Sequence, residues 1–432
     1  MRIVNYKESQ DTIKYILDRS IDSDPKIVEI VREVVDNVRK NGDEAIFEYT
    51  QKFDGYKKDD FSMVVDTEFF KKCRAEADEN LMKIILESAD NIRKYHEHQK
   101  EKTWSEHFGD NVFLGQKITP LQRVGVYVPG GKAFYPSSLL MNVVPAMVAG
   151  VEEIVVVSPP RGFLETPLIG AILFELGIKK AYLVGGAQAV AGLAFGTETI
   201  PKVDKIVGPG NIFVATAKRE VYGFVDIDMI AGPSEVLVLA ESKIANPLWT
   251  ALDVLSQSEH RTGYESSVLV CDSVEFANEV NKHIEEQLKE VPYAEKVAEI
   301  LEKFGAIIIV DDMNEGADVV NRIAPEHLEI LVEDEDGILN KIKHAGAIFV
   351  GNYSSEPIGD YWAGPNHVLP TSGTARFFSP LGTYDFVKKS SVIRYSKEAI
   401  LKHAKKIDAF AKSEDLYFHG KAVLQRYNDL TK

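Results

Sequence analysis

The sequence predicts an α/β protein with two open, doubly wound parallel-sheet domains of an incomplete Rossmann-like type, extended at both ends by small helical segments. From Val124 onward, short runs rich in β-branched residues alternate with segments of helical period. Such alternation is typical of parallel sheets that are covered by helices on both faces. The chain has 432 residues, too many for a single hydrophobic core, so at least two domains are expected. Folds of this class bind ligands at the carboxyl ends of their strands.

The first hundred or so residues are predicted to be mainly helical. Residues 1–24 indicate a brief strand and one short amphipathic helix, and residues 25–50 carry apolar side chains at three- and four-residue steps. A further helix is predicted over 67–98. Its end carries His96 and His98, which are one residue apart and therefore face different sides of a helix. We expect these histidines on a solvated face rather than as ligands of one ion.

Two series of strands and helices follow. The strands predicted in the first series are 124–128, 154–157, 182–184 and 205–207, and their helices lie near 137–149, 166–175, 188–195 and 212–221. The strands predicted in the second series are 235–239, 268–271, 306–310, 328–332 and 347–350, with helices at 247–258, across 274–304 and near 315–323. After about Pro380 the chain is helical and highly charged. Such a tail cannot bury a core alone, so we expect it to pack on something else, for example a partner subunit.

Composition and charge exclude several classes of protein. The net charge of −16, from 50 basic and 66 acidic residues, argues against nucleic acid as a partner because phosphate binding needs a basic face. No apolar run reaches the roughly 18 residues that span a bilayer, and the N-terminus has no signal pattern, so a cytoplasmic protein without membrane partners is expected. Cys73 and Cys271 are far apart in the sequence and form no CxxC motif, which predicts two packed, reduced thiols.

Glycines directly follow three strands of the first series. The turns read Val128-Pro129-Gly130-Gly131, Val184-Gly185-Gly186 and Val207-Gly208-Pro209-Gly210-Asn211. Glycine lets the backbone approach a ligand closely, and the unpaired N–H groups at the start of the next helix favour a phosphate. The turns therefore suit a dinucleotide, although none of them has the G-x-G-x-x-G pattern. Tight turns without any ligand are the alternative interpretation.

The second series carries most of the polar groups. Gln257 and His260 are three residues apart at the end of a predicted helix, so they share a face. Glu326 and His327 stand side by side on a turn that leads into a strand. A Glu–His pair can activate water and move protons near neutral pH, because imidazole titrates there.

A long loop over 351–373, GNYSSEPIGDYWAGPNHVLPTSG, has neither helical nor strand period. It is too apolar for a disordered linker, and loops of this length inside compact domains are usually functional. Its groups able to bind metal or move protons are Glu356, Asp360 and His367. Together with His260, His327 and His419 they indicate a zinc or similar site of nitrogen and oxygen ligands. Spacing alone leaves open which residues bind the metal, and a well-packed structural loop is the alternative.

Seven stretches, several of them individually distinctive, point to one family. They are PGGKAFYPSSLLMN, GGAQAVAGLAFGTETIPKVDKIVGPGN, AGPSEVLVLA, SQSEH, APEHLE, GDYWAGPNHVLPTSGTARFFSPL and EDLYFH. Through them the sequence resembles the histidinol dehydrogenase family along essentially its whole length. The resemblance implies a homodimeric enzyme that oxidises L-histidinol to L-histidine, the last step of histidine biosynthesis. It further implies one zinc ion per subunit, two NAD⁺ per reaction and L-histidinal held as the intermediate.

The resemblance also implies roles for individual residues. The implied zinc ligands are Gln257, His260, Asp360 and His419. The implied catalytic pair is Glu326 and His327. The substrate-binding positions, besides these six residues, are Ser234, His367 and Glu414. The implied NAD contacts are Tyr127, Gln188 and Asn211. We accordingly divide the chain into an N-terminal helical extension, a domain with the zinc and catalytic residues, a domain that binds NAD, and a helical tail. The ranges are, in that order, 1–24, 25–126 with 235–380, 127–234, and 381–432. His419 and the tail would reach the site of the other subunit.

The implied chemistry assigns the proton transfers to the Glu–His pair. Zinc has no redox chemistry, so its role is to hold the amino and imidazole nitrogens of the substrate. His327 would take the alcohol proton, and Glu326 would activate water to attack the aldehyde. A cysteine thiohemiacetal is rejected because neither cysteine lies in a matched motif. The alternatives are a zinc- and NAD-dependent paralogue that oxidises another alcohol, a zinc hydrolase that uses the pair without a nucleotide, and, least favoured, a pure binding protein.

Overall fold

The structure, a computed structural model, describes residues 1–18, 25–59, 61–130, 135–230 and 232–432. The end of the predicted N-terminal extension, Gly131 of the first glycine turn and Ala231 of the AGPSE stretch lie outside the described residues. The strands among the described residues are β1 (Arg2–Asn5), β2 (Val64–Asp66), β3 (Trp104–His107), β4 (Phe113–Pro120), β5 (Arg123–Tyr127), β6 (Glu153–Ser158), β7 (Lys180–Leu183), β8 (Lys205–Val207), β9 (Asp226–Ile227), β10 (Glu235–Ala240), β11 (Ser266–Cys271), β12 (Gly305–Ile309), β13 (His327–Leu331), β14 (Ala347–Val350) and β15 (Val387–Arg394).

Helices connect and cover these strands. They are α1 (Gln10–Leu17), α2 (Pro25–Asp54), α3 (Thr67–Glu76), α4 (Glu79–Glu97), α5 (Pro136–Ala149), α6 (Pro160–Leu164), α7 (Leu168–Glu175), α8 (Gly186–Phe195), α9 (Ile212–Val221), α10 (Pro247–Ser258), α11 (Val274–Leu288), α12 (Ala294–Phe304), α13 (Met313–Ile323), α14 (Glu335–Leu339), α15 (Glu356–Ile358), α16 (Lys397–Ser413) and α17 (Tyr417–Leu430). In the part of the chain that the structure describes, none of them combines the length and the apolar character needed to cross a membrane.

Two six-stranded sheets share one strand order. In the first sheet the parallel strands run β7-β6-β5-β8-β9, with β2 added antiparallel beside β7. In the second sheet they run β12-β11-β10-β13-β14, with β1 added parallel to β12. The winding reverses between β5 and β8 in one sheet and between β10 and β13 in the other, which defines the switch point of a doubly wound fold. The prediction of two doubly wound parallel-sheet units is confirmed.

Both faces of each sheet are covered by apolar side chains, as the continuous hydrophobic runs predict. In β10, Leu237 and Leu239 pack into a cluster on one face, and Val236 and Val238 into a cluster on the other. All four are at most 1% exposed. Complete burial of such a side chain stabilises the fold by roughly 1.5–3 kcal/mol. The strands are therefore held from both sides, and their ends form rigid edges.

The helices that follow residue 25 pack on the first sheet. The α2 helix packs on α8 and α9, α3 on α7, and α4 on α5, while β2 pairs with β7. This differs from the expected division of the chain, which joined 25–126 to the second sheet. The physical reason is burial, because Val34 and Val38 of α2 and Met82 and Ile92 of α4 complete the two clusters that cover the first sheet.

His96 corrects one prediction. Its side chain is fully buried near the end of α4, whereas His98 is exposed. The Nδ1 atom lies 2.8 Å from the carbonyl oxygen of Ile92, and Nε2 lies 3.5 Å from the side-chain nitrogen of Asn366 in the long loop. Burial lowers the pKa of His96. The charged neighbours in the sequence hide this position, which faces the core because it lies four residues after the buried Ile92.

Residues 100–120 and 387–432 form a second compact unit. Its strands make an antiparallel sheet in the order β15-β4-β3, and α16 packs on α17. The two helices approach closely at Gly420, where a Cβ atom would lie 2.5 Å from Oδ1 of Asp408. These strands are absent from the prediction because β3 and most of β15 are exposed and have no apolar face. The tail therefore shares a sheet with an earlier part of its own chain.

Candidate active site

The predicted residues Ser234, Gln257, Glu326 and His327 gather at the amino edge of the second sheet. Ser234 directly precedes β10, Glu326 and His327 stand at the start of β13, and Gln257 is in the last turn of α10. His327 lies opposite Val236 in the parallel ladder. The expectation that ligands bind at the carboxyl ends of the strands is wrong for these residues.

The reason lies in which backbone groups each edge offers. The carboxyl edge favours anions because helices begin there and present N–H groups. At the amino edge helices end, and the C-terminus of α10 favours a cation. The first N–H groups of the strands also lack ladder partners there, so they are available to carboxylates. This edge therefore suits acids and a positive ion.

Two buried carboxylates face each other at this edge. The N–H of Glu235 donates to Oε2 of Glu326 at 2.8 Å, and the N–H of Glu326 donates to Oε2 of Glu235 at 3.2 Å. Oε1 of Glu235 accepts the N–H of Ser372 at 2.7 Å. Burial, and next the charge of Glu235, raise the pKa of Glu326 well above the usual range of a carboxyl group. Glu326 is therefore a far stronger proton acceptor than an exposed glutamate.

The imidazole of His327 is held in one tautomer. Its Nδ1 lies 2.8 Å from the backbone oxygen of Glu235, which can only accept, so Nδ1 carries the proton and Nε2 a lone pair. Nε2 is buried and has no hydrogen-bond partner among the described residues. Burial also lowers the pKa of His327. The ring is therefore neutral and presents a basic nitrogen.

The long loop brings two more carboxyl groups to the same place. Glu356 begins α15, and Asp360 lies in the π-helical turn Gly359–Ala363 that follows. One ligand atom from each of His327, Glu356 and Asp360 lies within 4.8 Å of the others. Burial, and next the charge of Asp360, raise the pKa of Glu356 to about 9. Oε1 of Glu356 is buried without a hydrogen-bond partner among the described residues, 3.6 Å from Nε2 of His327.

These groups fit a divalent metal ion. Gln257 is buried and contacts Glu356, so its amide and the carboxylate of Asp360 reach the same space. Buried acidic oxygens without partners are unfavourable, and a cation would compensate them. Carboxylate oxygens with an imidazole nitrogen are donors that several divalent ions accept. The structure thus shows a possible metal-binding group of His327, Glu356 and Asp360, while the identity of the metal and the predicted ligand set stay predictions.

The buried Glu329 and the half-buried Asp253 support the loop from below. Oε1 of Glu329, in the middle of β13, accepts the N–H of Glu356 at 2.7 Å. Burial raises the pKa of Glu329 well above its usual range and that of Asp253, in α10, to about 6. The two side chains contact each other, which requires a proton between them. The start of α15 is thereby fixed to the same strand that carries His327.

The other predicted residues of this compact unit lie near the group formed by His327, Glu356 and Asp360. His260 follows α10 and is exposed. Its backbone N–H donates to the backbone oxygen of Gln257 at 3.3 Å. His367 lies in the loop and is half-buried. After burial, the charges of Asp360, His367 and His260 are among the influences on the pKa of His327, which places all three within electrostatic range. Ser234 is half-buried beside Glu235.

A cavity of about 510 Å³ opens beside His327 and His367. Its other walls include Phe349, Asn366 and Tyr384. Its volume lies in the range of small-molecule sites, and an apolar wall with few polar groups is typical of them. A cavity of this size beside His327 and His367 can hold a small molecule.

Glu414 and His419 belong to the second compact unit. Glu414 directly follows α16, and His419 lies in the first turn of α17. Asp415 between them has a φ of 58°, which turns the chain sharply from one helix to the next. Both predicted side chains are exposed, and their part in the site stays a prediction.

The predicted NAD residues lie at the carboxyl edge of the first sheet. Tyr127 ends β5, Gln188 is in the first turn of α8 after β7, and Asn211 caps α9 after β8. The hydroxyl oxygen of Tyr127 accepts the N–H of Gly186 at 3.2 Å. Gly208 has a φ of 111°, and a Cβ atom there would lie 2.2 Å from the backbone oxygen of Tyr127. Only glycine allows this turn to come so close to β5.

Gln188 gives a further indication of a ligand. Its side chain is 1% exposed, and neither atom of its amide has a hydrogen-bond partner among the described residues. A buried amide without partners is unfavourable, so a ligand with polar groups would be stabilised there. The turns that follow β5 and β8 lie at the switch point of the sheet, where folds of this class bind nucleotides.

Sequence reasoning missed two buried acids of the site, Glu235 and Glu329, and the half-buried Asp253. Glu235 and Glu329 each stand as the lone acid in an otherwise apolar strand, EVLVLA and HLEIL. Asp253 lies in the helix that carries Gln257. A charged residue inside a run that predicts a fully buried strand is the signal that would have found the first two. Glu356 was recognised in the loop but without an assigned role.

Comparison with known proteins identifies the family of this chain. A family model described as histidinol dehydrogenase matches residues 17–427. A curated histidinol dehydrogenase of Halalkalibacterium halodurans is 50% identical over 430 residues, which cover 99% of this chain and 100% of the relative. That of Aquifex aeolicus is 48% identical over 419 residues, which cover 97% of each chain. The crystal structure of histidinol dehydrogenase from Elizabethkingia anophelis superposes with a TM-score of 0.93 at 33% identity, covering 100% of this chain and 99% of that chain. The chain therefore belongs to the histidinol dehydrogenase family.

Proposed function

We propose that this protein oxidises L-histidinol to L-histidine through bound L-histidinal, with two NAD⁺ and one zinc ion per subunit. The observation that carries the proposal is the buried pair at the start of β13. His327 presents an unprotonated Nε2, and Glu326 beside it is a carboxylate of raised pKa. Oxidation of an alcohol through an aldehyde to an acid needs one proton acceptor for the hydroxyl group and one for water. Family membership supports the choice of substrate.

We propose Gln257, His260, Asp360 and His419 of the partner subunit as the zinc ligands. Two observations support this. The side chains of Gln257 and Asp360 both contact that of Glu356. Gln257 lies in the last turn of α10, where the helix dipole favours a cation. Bound zinc would supply a template that fixes the nitrogen atoms of the substrate, since it has no redox chemistry. Ser234, His367 and Glu414 would complete the substrate site.

In the first oxidation His327 accepts the proton of the alcohol at Nε2. The resulting imidazolium is stabilised because Nδ1 donates to the backbone oxygen of Glu235. The carboxyl group of Glu356, with Oε1 3.6 Å from Nε2, adds a second favourable contact to the charged ring. NAD⁺, when bound, supplies the hydride acceptor for both oxidations.

Glu326 acts between the two oxidations. It accepts a proton from water as the water oxygen bonds to the aldehyde carbon, and the protonated His327 returns its proton to the carbonyl oxygen, so that a hydrate forms and His327 is again neutral. His327 then accepts the proton of a hydrate hydroxyl in the second oxidation. In sum, one histidinol, one water and two NAD⁺ give one histidine, two NADH and three protons. Glu326→Gln is expected to slow the aldehyde step far more than the alcohol step, and an equal loss in both would count against Glu326 as the base for water.

The nucleotide would lie at the carboxyl edge of the first sheet and contact Tyr127, Gln188 and Asn211. The support is the position at the switch point and the buried amide of Gln188, which has no partner among the described residues. A cysteine route to the acid is unfavourable, because burial raises the pKa of the Cys271 thiol to about 12 and also raises that of Cys73. The cytoplasmic location stays a prediction.

We further propose a homodimer with shared active sites, in which the tail of each chain completes the site of the other. The exposed positions of Glu414 and His419 in the second unit are compatible with this arrangement. Mixing an inactive His419→Ala chain with an inactive Glu326→Gln chain tests it. Mixed dimers should recover activity at one of two sites. Absence of rescue, with subunit exchange verified, would mean that each chain builds its own site.

The deciding experiment is the yield of NADH per L-histidinol consumed by the purified, zinc-loaded protein. Two NADH, with histidine as the product, are expected. One NADH would mean that the reaction stops at the aldehyde and that the role of Glu326 is wrong. No NADH, in folded and metal-bound protein, would favour the paralogue that oxidises another alcohol. Turnover of an amide or ester without NAD⁺ would favour the zinc hydrolase.

A further inference from the structure

We propose that Glu235 is the positioning residue of the catalytic pair: its main chain binds the side chains of Glu326 and His327, and its carboxylate binds the main-chain N–H of Glu326. The inference rests on the proposed function and extends it to a residue outside the predicted site. Glu235 is 4% exposed at the first position of β10, directly beside the start of β13. It contributes atoms to hydrogen bonds with both members of the pair. No other residue that the structure describes is shown bonded to both.

The side chains of Glu235 and Glu326 form a closed ring with their main chains. Each N–H donates to the carboxylate of the other residue, at 2.8 and 3.2 Å. The first bond orients the carboxylate of Glu326, whose last torsion is otherwise broad. The second bond holds the main chain of Glu326 at the start of β13, and with it the position from which the carboxylate extends.

The second oxygen of Glu235 extends this ring to the long loop. Oε1 accepts the N–H of Ser372 at 2.7 Å. Ser372 has a φ of 54°, a left-handed conformation that is unfavourable for a residue with a side chain. The strong bond to a carboxylate helps to hold it there. Glu235 thus ties the end of the loop that carries Asp360 and His367 to the pair.

A neutral side chain would serve a purely structural purpose better. Burial of a second carboxyl group beside Glu326 is unfavourable, because like charges repel strongly where water is excluded. A buried glutamine would fill the same volume without that repulsion. It would, however, offer one acceptor atom where the structure uses two, so one of the N–H groups of Glu326 and Ser372 would face a donor. The acid is therefore explained by the orientation it imposes.

The main-chain contact gives the proposal a sharp test. The backbone oxygen of residue 235 binds Nδ1 of His327, and no substitution at this position removes it. The bond from the N–H of residue 235 to the carboxylate of Glu326 also survives substitution, but Glu235→Gln removes an acceptor for the N–H of Glu326 or of Ser372. The variant is therefore expected to shift the main chain that carries Glu326 and to affect His327 less, because the imidazole keeps its bond to residue 235. The rate with supplied L-histidinal should fall by about 10- to 100-fold, as for a displaced general base. The alcohol step, followed as the first turnover of L-histidinol, should fall less than about 3-fold.

A double-mutant cycle tests whether Glu235 acts through Glu326. With L-histidinal, Glu235→Gln/Glu326→Gln should be no more than about 2-fold slower than Glu326→Gln alone. A multiplicative loss would overturn the proposal, and so would an equal fall of both oxidation steps in Glu235→Gln. Asp204→Asn is the matched control, because Asp204 also accepts two main-chain N–H groups, those of Gln122 and Arg123, at the start of β5. It should leave the ratio of the two steps unchanged.

Two further measurements keep the test decisive. If Glu235→Gln fails to fold, Glu235→Asp retracts the carboxylate by one methylene group and should give the same selective loss. The unfolding free energies of the four proteins of the cycle are measured in urea and should be non-additive. Additive values would overturn the proposal even if the protein does not oxidise histidinol. Failure of the proposed function has its own signature, since wild type would then produce no NADH from histidinol or L-histidinal.

Discussion

The buried ion pair between Lys218 and Asp228 lies beneath the glycine turn of the first sheet, and its loss should be costly. The side chain of Lys218 is 3% exposed and that of Asp228 1%. The lysine Nζ also donates to the backbone oxygen of Gly208 at 3.1 Å. The carboxylate accepts the N–H of Gly208 at 2.8 Å and that of Met229 at 2.6 Å. Two bonds, both made by Gly208, therefore join the turn to this pair.

Lys218→Met removes the charge and keeps much of the volume. Removing one partner of a buried pair destabilises a protein by roughly 3–5 kcal/mol, because the remaining charge is buried without compensation. Asp228 would keep its two main-chain donors, so we expect a loss of about 3 kcal/mol. The free energy of unfolding in urea measures it. The KM for NAD⁺ should rise by about 10-fold and kcat should change less, because the turn that precedes Asn211 loosens while the catalytic pair stays intact.

Lys205→Met is the control for this change. Lys205 pairs with Asp226 at 2.9 Å, but the carboxylate of that partner is 50% exposed and remains hydrated after the substitution. We expect a loss of at most about 1 kcal/mol and an unchanged KM for NAD⁺. If Lys218→Met destabilised the protein no more than Lys205→Met, or left the KM for NAD⁺ unaltered, the argument that the buried pair holds the turn would be refuted.

Three further predictions concern charge, metal and nucleotide. Burial raises the pKa of Asp385 to about 6, so the folded state binds its proton more tightly than the unfolded state, and stability falls as the pH rises from about 4 through 6. Asp385→Asn should therefore stabilise the protein by about 1–2 kcal/mol at pH 7 and leave its stability unchanged near pH 4. Equal free energies of unfolding in urea for the variant and wild type at both pH values would contradict this. Asp360→Ala should purify with less than about a tenth of the zinc of wild type by elemental analysis, whereas undiminished zinc would remove Asp360 from the ligand set. Gln188→Leu removes a buried amide that has no hydrogen-bond partner among the described residues, so the apoprotein should be at least as stable as wild type. The KM for NAD⁺ should rise about 10-fold. A destabilised protein with an unchanged KM for NAD⁺ would show that the amide serves the fold.

The sequence predicts the strands and helices of both sheets well, because their signals are local. The helix Pro247–Ser258 has the predicted bounds, and Gln257 lies in its last turn as expected. Apolar runs such as 235–239 can only be buried strands in a chain of this composition. Pairing between distant segments leaves a weaker signal. Nothing in the residues around β2 indicates that this strand joins β7, so the packing of the helices that follow residue 25 differs from the expected division of the chain.

The site shows the same limit. Glu326 and His327 attract notice as an adjacent acid and imidazole at the start of a strand. Glu235 does not, because its function depends on a neighbour 91 residues away that only the sheet brings beside it. The local sequence also does not show at which edge of the sheet a site forms, because the apolar pattern of a strand is the same at both of its ends. The buried His96 is hidden for a related reason, as its partner Asn366 comes from the long loop.

The connection between the two sheets has a consequence for how this chain can change in length. Asp228 is bonded to the glycine turn of the first sheet, the N–H of Gly232 donates to Oγ1 of Thr371 at 2.5 Å, and the N–H of Glu235 donates to Glu326. Surface loops usually tolerate added or deleted residues, because the entropy of closing a loop grows slowly with its length. Here hydrogen bonds hold the chain at Asp228, Gly232 and Glu235, so an extra residue between them would break at least one of these bonds. Natural or engineered insertions should therefore accumulate elsewhere, and this connector should keep a constant length wherever the reaction is retained.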